Sequence, residues 1–266
     1  MSRAATSLRR RLLGALMLAA GLLHGPAAAA APTAQQLLAL SDEVRNPQQP
    51  FSTLVTLIEY RNGKQADSSA LTVYSKADPS DGQYRSLLRF VAPPRDTGKL
   101  MLKSGNDLWY FDPSSQASIR LSPQQRLLGQ AANGDVVTVN LARDYQAELG
   151  GEEQLVDGEK VQRDTLKLDL RALRPEVTYD RIEIWIEKES AKPLRARFYA
   201  ESGRLLKTAY YRKFARQLGR ERPTEVVIID GLDPKWVTVM RYSDFASRDV
   251  PDAWLQRDYL PRFKPE

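Results

Sequence analysis

Cysteine is absent from the 266-residue sequence, and histidine occurs once, at His24. His24 falls within a segment that we interpret below as an export signal, so the mature chain would contain neither residue. This excludes Ser-His-Asp and Cys-His nucleophile systems, and zinc sites with His or Cys ligands. It also excludes disulfides, so the hydrophobic core must suffice for stability. An enzyme would have to work with carboxylates, lysine, tyrosine or serine, and we therefore expect a non-enzymatic protein without metal or cofactor.

Long apolar runs are scarce as well. Arg3 and Arg9–Arg11 precede one short apolar run, Leu12–Leu23, and the small residues Ala28–Ala30 follow it. This order of a basic, an apolar and a small-residue region is typical of a secretory signal peptide, and the run is too short to span a membrane. We predict cleavage after Ala30. No cysteine follows the apolar run, so the mature protein is not an acylated lipoprotein, and we expect it in the periplasm of a two-membrane bacterium, with secretion as the alternative.

An excess of one charge sign is absent once the predicted signal is removed. The whole chain has 39 Lys and Arg against 33 Asp and Glu, and four of the arginines lie in residues 1–30. The remaining 35 basic and 33 acidic residues leave a net charge of +2. No clustered basic element predicts nucleic acid as a partner. Residues 31–266 are about as many as one large domain needs, and we predict a single domain there.

Alternating apolar and polar residues, separated by turn signals, fill most of the chain. Residues 166–170 and 182–186 each place three apolar side chains on one strand face, and Asn62-Gly63 and Asp157-Gly158 are hairpin signals. Helical patterns are few and short, at residues 35–44 and near 251–260. The pattern predicts a mainly β fold: a half-open antiparallel β-barrel of about eleven strands, covered by short α-helices that form a lid.

Residues 107–145 contain the best candidate for that lid. An aromatic strand with Trp109 and Phe111 ends in Asp-Pro, and Ser122 with Pro123 then predicts a short helix to Gly129 that carries Leu127 and Leu128. The next short apolar segment, 133–140, is predicted as a second short helical piece and carries Val137 and Val139. These apolar side chains could either line a cavity or close the core. Because so few helices cover one apolar sheet face, we expect a cavity for an apolar ligand.

The same region resembles the Lol-type periplasmic lipoprotein carriers, and within them a subfamily of outer-membrane lipoprotein-sorting-like proteins. The matching elements are Leu88-Arg89-Phe90, Ala92-Pro93, Leu108 to Pro113, Asn133-Gly134-Asp135 and Asp144-Tyr145. Sharp matches cover about residues 85–145, and strand order matches over most of the mature chain. The chain is longer than a typical carrier, and the run Ser122 to Leu128 is a feature of the subfamily.

The resemblance implies a half-open barrel with a helical lid that carries acyl chains between membranes. Its implied partners are a lipid or acylated lipoprotein as cargo, an inner-membrane exporter of the ABC or RND type, and an outer-membrane acceptor. An alternative within the same fold is a lipid-sensing or accessory subunit that regulates an exporter or a signalling partner. In the carriers, the arginine that Arg89 matches holds the lid shut through hydrogen bonds.

The strand pattern places Arg89 between Leu87 and Val91 on one face. If that face is the inner one, Arg89 needs a partner, because a buried unpaired charge is costly. Lid carbonyls or Asp135 would supply it. The alternative is an outward arginine on the face of Arg85. The predicted latch and cavity-lining residues are Arg89, Leu87, Val91, Trp109, Phe111, Leu127, Leu128, Val137, Val139, Ile182, Ile184 and Ile186.

Overall fold

A computed structural model of the protein describes residues 31–105 and 107–264; the predicted signal, residues 1–30, lies outside them. Fifteen strands and three α-helices make up the described chain. The strands are β1 Phe51–Arg61, β2 Lys64–Ala77, β3 Tyr84–Ala92, β4 Leu100–Ser104, β5 Asp107–Asp112, β6 Ala117–Leu121, β7 Arg126–Leu128, β8 Ala131–Ala132, β9 Tyr145–Val156, β10 Gln162–Ala172, β11 Arg181–Glu187, β12 Pro193–Tyr199, β13 Leu205–Gln217, β14 Arg220–Asp230 and β15 Trp236–Ser247. The helices are α1 Ala34–Arg45, α2 Asn133–Val136 and α3 Leu141–Asp144, with 3-10 helices at Pro94–Asp96, Asp252–Leu255 and Arg257–Arg262.

Thirteen of the strands form one antiparallel sheet in the order β6-β5-β4-β3-β2-β1-β15-β14-β13-β12-β11-β10-β9. Every neighbour pair is consecutive in the chain except β1 and β15, which join the two halves. Within the described residues β6 and β9 each have one neighbour in this sheet, so the sheet has two edges and is not closed. The prediction of a mainly β, half-open architecture is confirmed, with more strands than the eleven expected.

Local sequence explains the hairpins. Asn62 and Gly63 both have positive φ, at 51° and 76°, as the tight turn between β1 and β2 requires. In β10 and β11 the alternating pattern holds in the structure: Leu168 pairs with Ile184, and Leu170 with Ile182, and all four are buried in the main core. One face of these strands is therefore apolar, as their period of two predicts.

Helix α1 covers one end of the apolar face. The Thr33 side chain and Gln36 form a capping box at its start. Gln35, in the first turn of α1, binds the free edge of β9: its amide nitrogen donates to the carbonyl of Tyr145 (3.0 Å), and its amide oxygen accepts from the Ala147 N–H (2.9 Å). This side chain takes the place of a neighbouring strand there and so attaches α1 to the sheet edge.

Residues 122–144, which we call the lid segment, connect edge strand β6 to edge strand β9. The helix predicted at residues 122–129 is wrong. Arg126 and Leu128 instead form the short strand β7, which pairs with β8, and Leu127 and Leu128 pack against the main core. The Ser122 hydroxyl accepts from the nearby Gln124 N–H (3.3 Å) rather than capping a helix, so tertiary packing overrides the local signal. The helical prediction at 133–140 holds only for the single turn α2.

A second, smaller core lies on the opposite face of strands β2–β5. The C-terminal residues from Val250 to Phe263 pack there through Trp254, Leu255 and Leu260. Arg85 donates to the carbonyl of Leu255 (2.8 Å) and helps to hold this tail in place. We call this side of the sheet the outer face, and the side that carries the main core and the lid segment the inner face. None of the described helices is long and apolar enough to cross a membrane.

Candidate functional site

A cavity of about 170 Å³ lies between the inner face of the sheet, the lid segment and α1. Most of its wall is apolar. Strands and lid contribute Phe51, Val55, Val73, Leu108, Val136, Val137, Val139, Leu141, Ile182, Phe198, Val226 and Phe245. Four tyrosines, at positions 145, 179, 211 and 242, add rings with polar ends. Such a wall suits a hydrocarbon chain with few polar groups.

A buried ion pair fastens the lid segment to the sheet. Lys207 on β13 donates to a carboxylate oxygen of Asp135 in α2 and to the carbonyl of Gln130 (2.9 Å). The same carboxylate accepts from the Tyr179 hydroxyl (2.8 Å) and from the Ala132 N–H (2.7 Å). Asp135 therefore has donors on both oxygens, which is what a carboxylate removed from water requires.

Burial explains the electrostatics of this cluster. Desolvation lowers the pKa of the Lys207 ammonium, and the charge of Asp135 opposes that shift. Burial together with the Asp135 charge raises the pKa of Tyr179 well above its ordinary value, so its hydroxyl remains a donor. The Lys207 ammonium also lies 4.9 Å from the centre of the Tyr179 ring, within range of a cation–π contact.

A second set of bonds joins the lid segment to the C-terminal turn of α1. Asp42 accepts from the Ala142 N–H (2.7 Å) and pairs with Arg45. Arg45 and Asn46 both donate to the carbonyl of Val139, at 3.2 and 2.8 Å. Burial raises the pKa of Asp42, while Arg45 and the backbone donor oppose the shift. Helix α1 and the lid segment are thus bound to one another as well as to the sheet.

Strands β2 and β3 supply a third attachment. The Gln83 side chain, just before β3, accepts from the Asn140 N–H (2.8 Å) and donates to the Asn140 carbonyl (3.1 Å). The Thr138 and Ser75 hydroxyls are hydrogen bonded at 2.7 Å. At the opposite side Gly134 lies against Thr178, where a Cβ on Gly134 would overlap the Thr178 hydroxyl. The lid segment is held at close quarters along much of its length.

Three of the sequence-predicted residues line the cavity: Val137, Val139 and Ile182. Ile184 and Ile186, on the same strand face as Ile182, are fully buried in the main core beside the cavity. Leu127 and Leu128 are partly buried against that core. The structure therefore brings the lid valines and β11 together, and leaves the other four residues as packing around the cavity.

Arg89 lies on the outer face, so the interpretation of it as an inward latch is wrong. Leu88 and Phe90 belong to the main core, whereas Leu87 belongs to the outer core with the C-terminal tail. Because side chains alternate along a strand, Arg89 and Val91 lie on the face opposite to Leu88 and Phe90. Neither of them lines the cavity. Each face of β3 carries a buried leucine, Leu88 inside and Leu87 outside, which is why the apolar neighbours of Arg89 could not identify the inner face.

Trp109 and Phe111 are also outward. Their strand neighbours Leu108 and Tyr110 pack with the main core, while Trp109 and Phe111 pack with the outer core. Arg257 from the tail stacks over the Trp109 ring at 4.0 Å. Neither aromatic lines the cavity. The sequence correctly places Trp109 and Phe111 on the strand face opposite to Leu108 and Tyr110. It does not show that the C-terminal tail packs on the face of Trp109 and Phe111, which makes that face the outer one.

The charged residues that hold the lid segment were missed by sequence reasoning. Lys207 is in phase with Ala209 and Tyr211 on β13, and both of those pack in the main core. A lysine on the same strand face as apolar residues indicates a buried charge that needs a partner, and this was the signal that could have identified Lys207. Arg45 and Asp42 carry no such signal, because a helix end usually exposes its charges. The sequence points to Asp135 only as a partner for Arg89. Among the described residues, no group of three or more potential metal ligands comes together.

Comparisons with known proteins agree with this geometry. A family model described only as "-like: Uncharacterized protein" matches residues 82–262. A search of curated proteins gave no match. Two solved structures share the fold at lower identity: a DUF1329 family protein from Desulfovibrio piger (23% identity, TM-score 0.72, 85% of this chain and 97% of that one), and a putative outer membrane lipoprotein-sorting protein domain from Vibrio parahaemolyticus (17%, 0.73, 86% and 98%).

A third solved structure is more similar in sequence. It is a LolA superfamily protein from Nitrosomonas europaea, with a TM-score of 0.77 and 36% identity. The alignment covers 86% of this chain and 100% of that protein. Since the whole of that protein is matched at this identity, the chain belongs to the LolA superfamily.

Proposed function

We propose that the protein is a periplasmic carrier that binds the acyl chains of a lipid or lipoprotein and moves them from an inner-membrane exporter toward the outer membrane. The observation that carries this proposal is the valine-rich cavity beneath the lid segment. Membership of the LolA superfamily, and the lipoprotein-sorting name of a protein with the same fold, support it. The predicted signal peptide supports the proposed periplasmic location.

Loading requires the cavity to widen. Its volume of about 170 Å³ is close to that of an engineered cavity of roughly 150 Å³ that binds benzene. Pockets for larger ligands measure about 300–1,000 Å³. The strands are held by ladder hydrogen bonds, whereas the lid segment is held mainly by side chains. The lid segment is therefore the wall that moves when an acyl chain enters.

A carrier of this kind does not need to catalyse a reaction. The sequence contains no cysteine, and its one histidine lies in the predicted signal. Asp135, one of the carboxylates that line the cavity, is engaged by Lys207 and Tyr179. Such a carboxylate stabilises the closed lid segment and is not free to act as a base or nucleophile. We therefore propose a non-enzymatic function without cofactor.

Native mass spectrometry of gently purified protein tests the proposal. We expect co-purified lipid or acylated peptide, and binding of fluorescent fatty-acyl probes by protein stripped of its ligand. Transfer of a bound probe to acceptor vesicles then tests carriage. Empty protein that also ignores the probes would refute the carrier function. Binding without any transfer would favour the lipid-sensing subunit instead.

A further inference from the structure

One end of the cavity is polar. Arg45, at the end of α1, lines it together with Tyr211, Tyr242 and Thr53, whereas the apolar side chains lie on the sheet and lid around them. The Arg45 side chain is 15% exposed, and its Nε is buried. Apart from Arg45 and Asp135, the charged residues of the lining are Lys103, Asp107, Asp144 and Glu176. A mainly apolar wall with a guanidinium and hydroxyls at one place has the polarity of an amphiphile.

The Arg45 guanidinium keeps donors available for a ligand. One of its terminal nitrogens donates to Asp42 and to the carbonyl of Val139. Its Nε is buried and has no hydrogen-bond partner among the described residues. Guanidinium has five N–H donors, and a buried donor without an acceptor is unfavourable. An oxygen atom of a ligand would satisfy it.

Asp42 does not block this end. One of its oxygens faces Arg45, and the other accepts from the Ala142 N–H (2.7 Å). Both oxygens therefore already have a donor. The remaining donors of Arg45 are what a ligand head would meet.

Two tyrosine hydroxyls complete the polar end. Within the described chain Tyr211 makes no hydrogen bond through its hydroxyl, and Tyr242 makes only a weak one to the Met240 sulfur (3.5 Å). Burial raises the pKa of both tyrosines, and the nearby charge of Arg45 opposes the shift. Both hydroxyls are therefore protonated at neutral pH and can donate to an anion.

We propose that this end binds the anionic head of a single-chain amphiphile, with Arg45 and the two tyrosines as donors and the acyl chain along the valine-lined wall. The inference rests on the proposed carrier function and adds the class of head group to it. A carboxylate or phosphate oxygen accepts charge-assisted hydrogen bonds from guanidinium, whereas an uncharged alcohol makes weaker ones.

Calorimetric titration with decanoate, decanol and acetate tests this. We expect wild-type protein to bind decanoate about tenfold or more tightly than decanol, as charge-assisted bonds predict. Acetate, the head without a chain, should not compete at equal concentration. Equal binding of decanoate and decanol would overturn this inference and leave the carrier function standing. Binding of neither would overturn both, and tight binding of acetate would mean a site for free anions.

Variants identify the donors. Because Arg45→Met alone leaves Asp42 buried without its partner, the double variant Asp42→Asn/Arg45→Met is the cleaner test. It should lose the preference for decanoate over decanol; because both probes enter past the same lid segment, any loosening of the lid changes both affinities alike and leaves their ratio as the readout. Tyr242→Phe should reduce the preference in part. Arg220→Met is the matched control. Arg220, on β14, pairs with Glu43 (2.8 Å), which lies on α1 as Arg45 does, and Arg220 does not line the cavity. A wild-type preference in the double variant would refute the inference.

Discussion

Lys207 and Asp135 form a buried ion pair that links strand β13 to the lid segment. Their side chains are 4% and 11% exposed. Tyr179 and the carbonyl of Gln130 supply further hydrogen bonds to the pair. This contact, rather than one from Arg89, connects the lid segment to the inner face of the sheet by charge.

The first prediction concerns the two halves of that pair. Lys207→Met or Asp135→Asn should each lower the free energy of unfolding by about 3–5 kcal/mol, because each leaves a buried polar group without its partner. The double variant should recover a large part of the loss. Urea denaturation of the four proteins measures the coupling. Lys192→Met, which breaks the exposed pair with Glu221, should cost about 0–1 kcal/mol. Additive losses in the double variant would show that the pair is not coupled.

The second prediction concerns the close approach of Gly134 to Thr178. A methyl group on Gly134 would overlap the Thr178 hydroxyl and lie 2.8 Å from its methyl carbon. Gly134→Ala should therefore displace α2, lower stability by about 1–3 kcal/mol, and speed the entry of acyl probes. Stopped-flow probe binding and urea denaturation check both effects. Adding Thr178→Ala to Gly134→Ala should restore part of the stability and part of the slow probe entry of wild type. An unchanged entry rate in Gly134→Ala would argue against a moving lid segment.

The third prediction separates the two sheet faces. Val137→Trp should fill the cavity and weaken acyl-probe binding at least about tenfold, since the added volume competes with the ligand for space. Arg89→Leu, on the outer face, should bind and transfer probes as wild type does. Fluorescence titration and vesicle transfer measure both variants. Altered transfer by Arg89→Leu would reinstate this arginine as a lid latch and require a different inner face.

The fourth prediction concerns pH and Glu225. Its carboxylate accepts from Lys213 and Arg241, each at 2.9 Å, and lies 3.1 Å from the Arg212 guanidinium. Although burial acts in the opposite direction, these cations lower its pKa below the ordinary 4.5. Because the pKa of Glu225 is lower in the folded than in the unfolded chain, its ionised carboxylate stabilises the fold above pH 4.5. This stabilisation is lost as the pH falls through the pKa of the folded state.

Glu225→Gln should consequently destabilise the protein by about 1–3 kcal/mol at neutral pH, and the difference from wild type should shrink in acid below pH 4.5. Urea denaturation across this range measures it. Glu221→Gln, at a more exposed pair, is the control and should change stability little. A constant difference at all pH values would show that the effect does not come from ionisation.

The fifth prediction concerns export. Expressed in full length in a bacterium with two membranes, the protein should appear in the periplasmic fraction, without lipid attached, beginning at Ala31. N-terminal sequencing and intact-mass measurement check it. Retention of residues 1–30, or a start far from Ala31, would contradict the predicted signal peptide.

The sequence by itself determined the strand character, most hairpins and the alternation within each strand. These depend on local properties: the period of two in β10 and β11, and turn residues such as Asn62-Gly63. It also determined the chemistry that the chain lacks, since no fold can supply an absent cysteine. Helix α1 followed from its own pattern of leucines in the same way.

Only the tertiary structure decided which face of each strand is the inner one. Alternation separates Leu87 and Arg89 from Leu88 and Phe90, but each face of β3 carries buried apolar residues, since the C-terminal tail packs on the outer one. The partner of Asp135 was likewise decided by the fold, since Lys207 lies 72 residues away in sequence. Inner faces and buried ion pairs depend on contacts between distant segments, and local patterns carry no information about which distant segments meet.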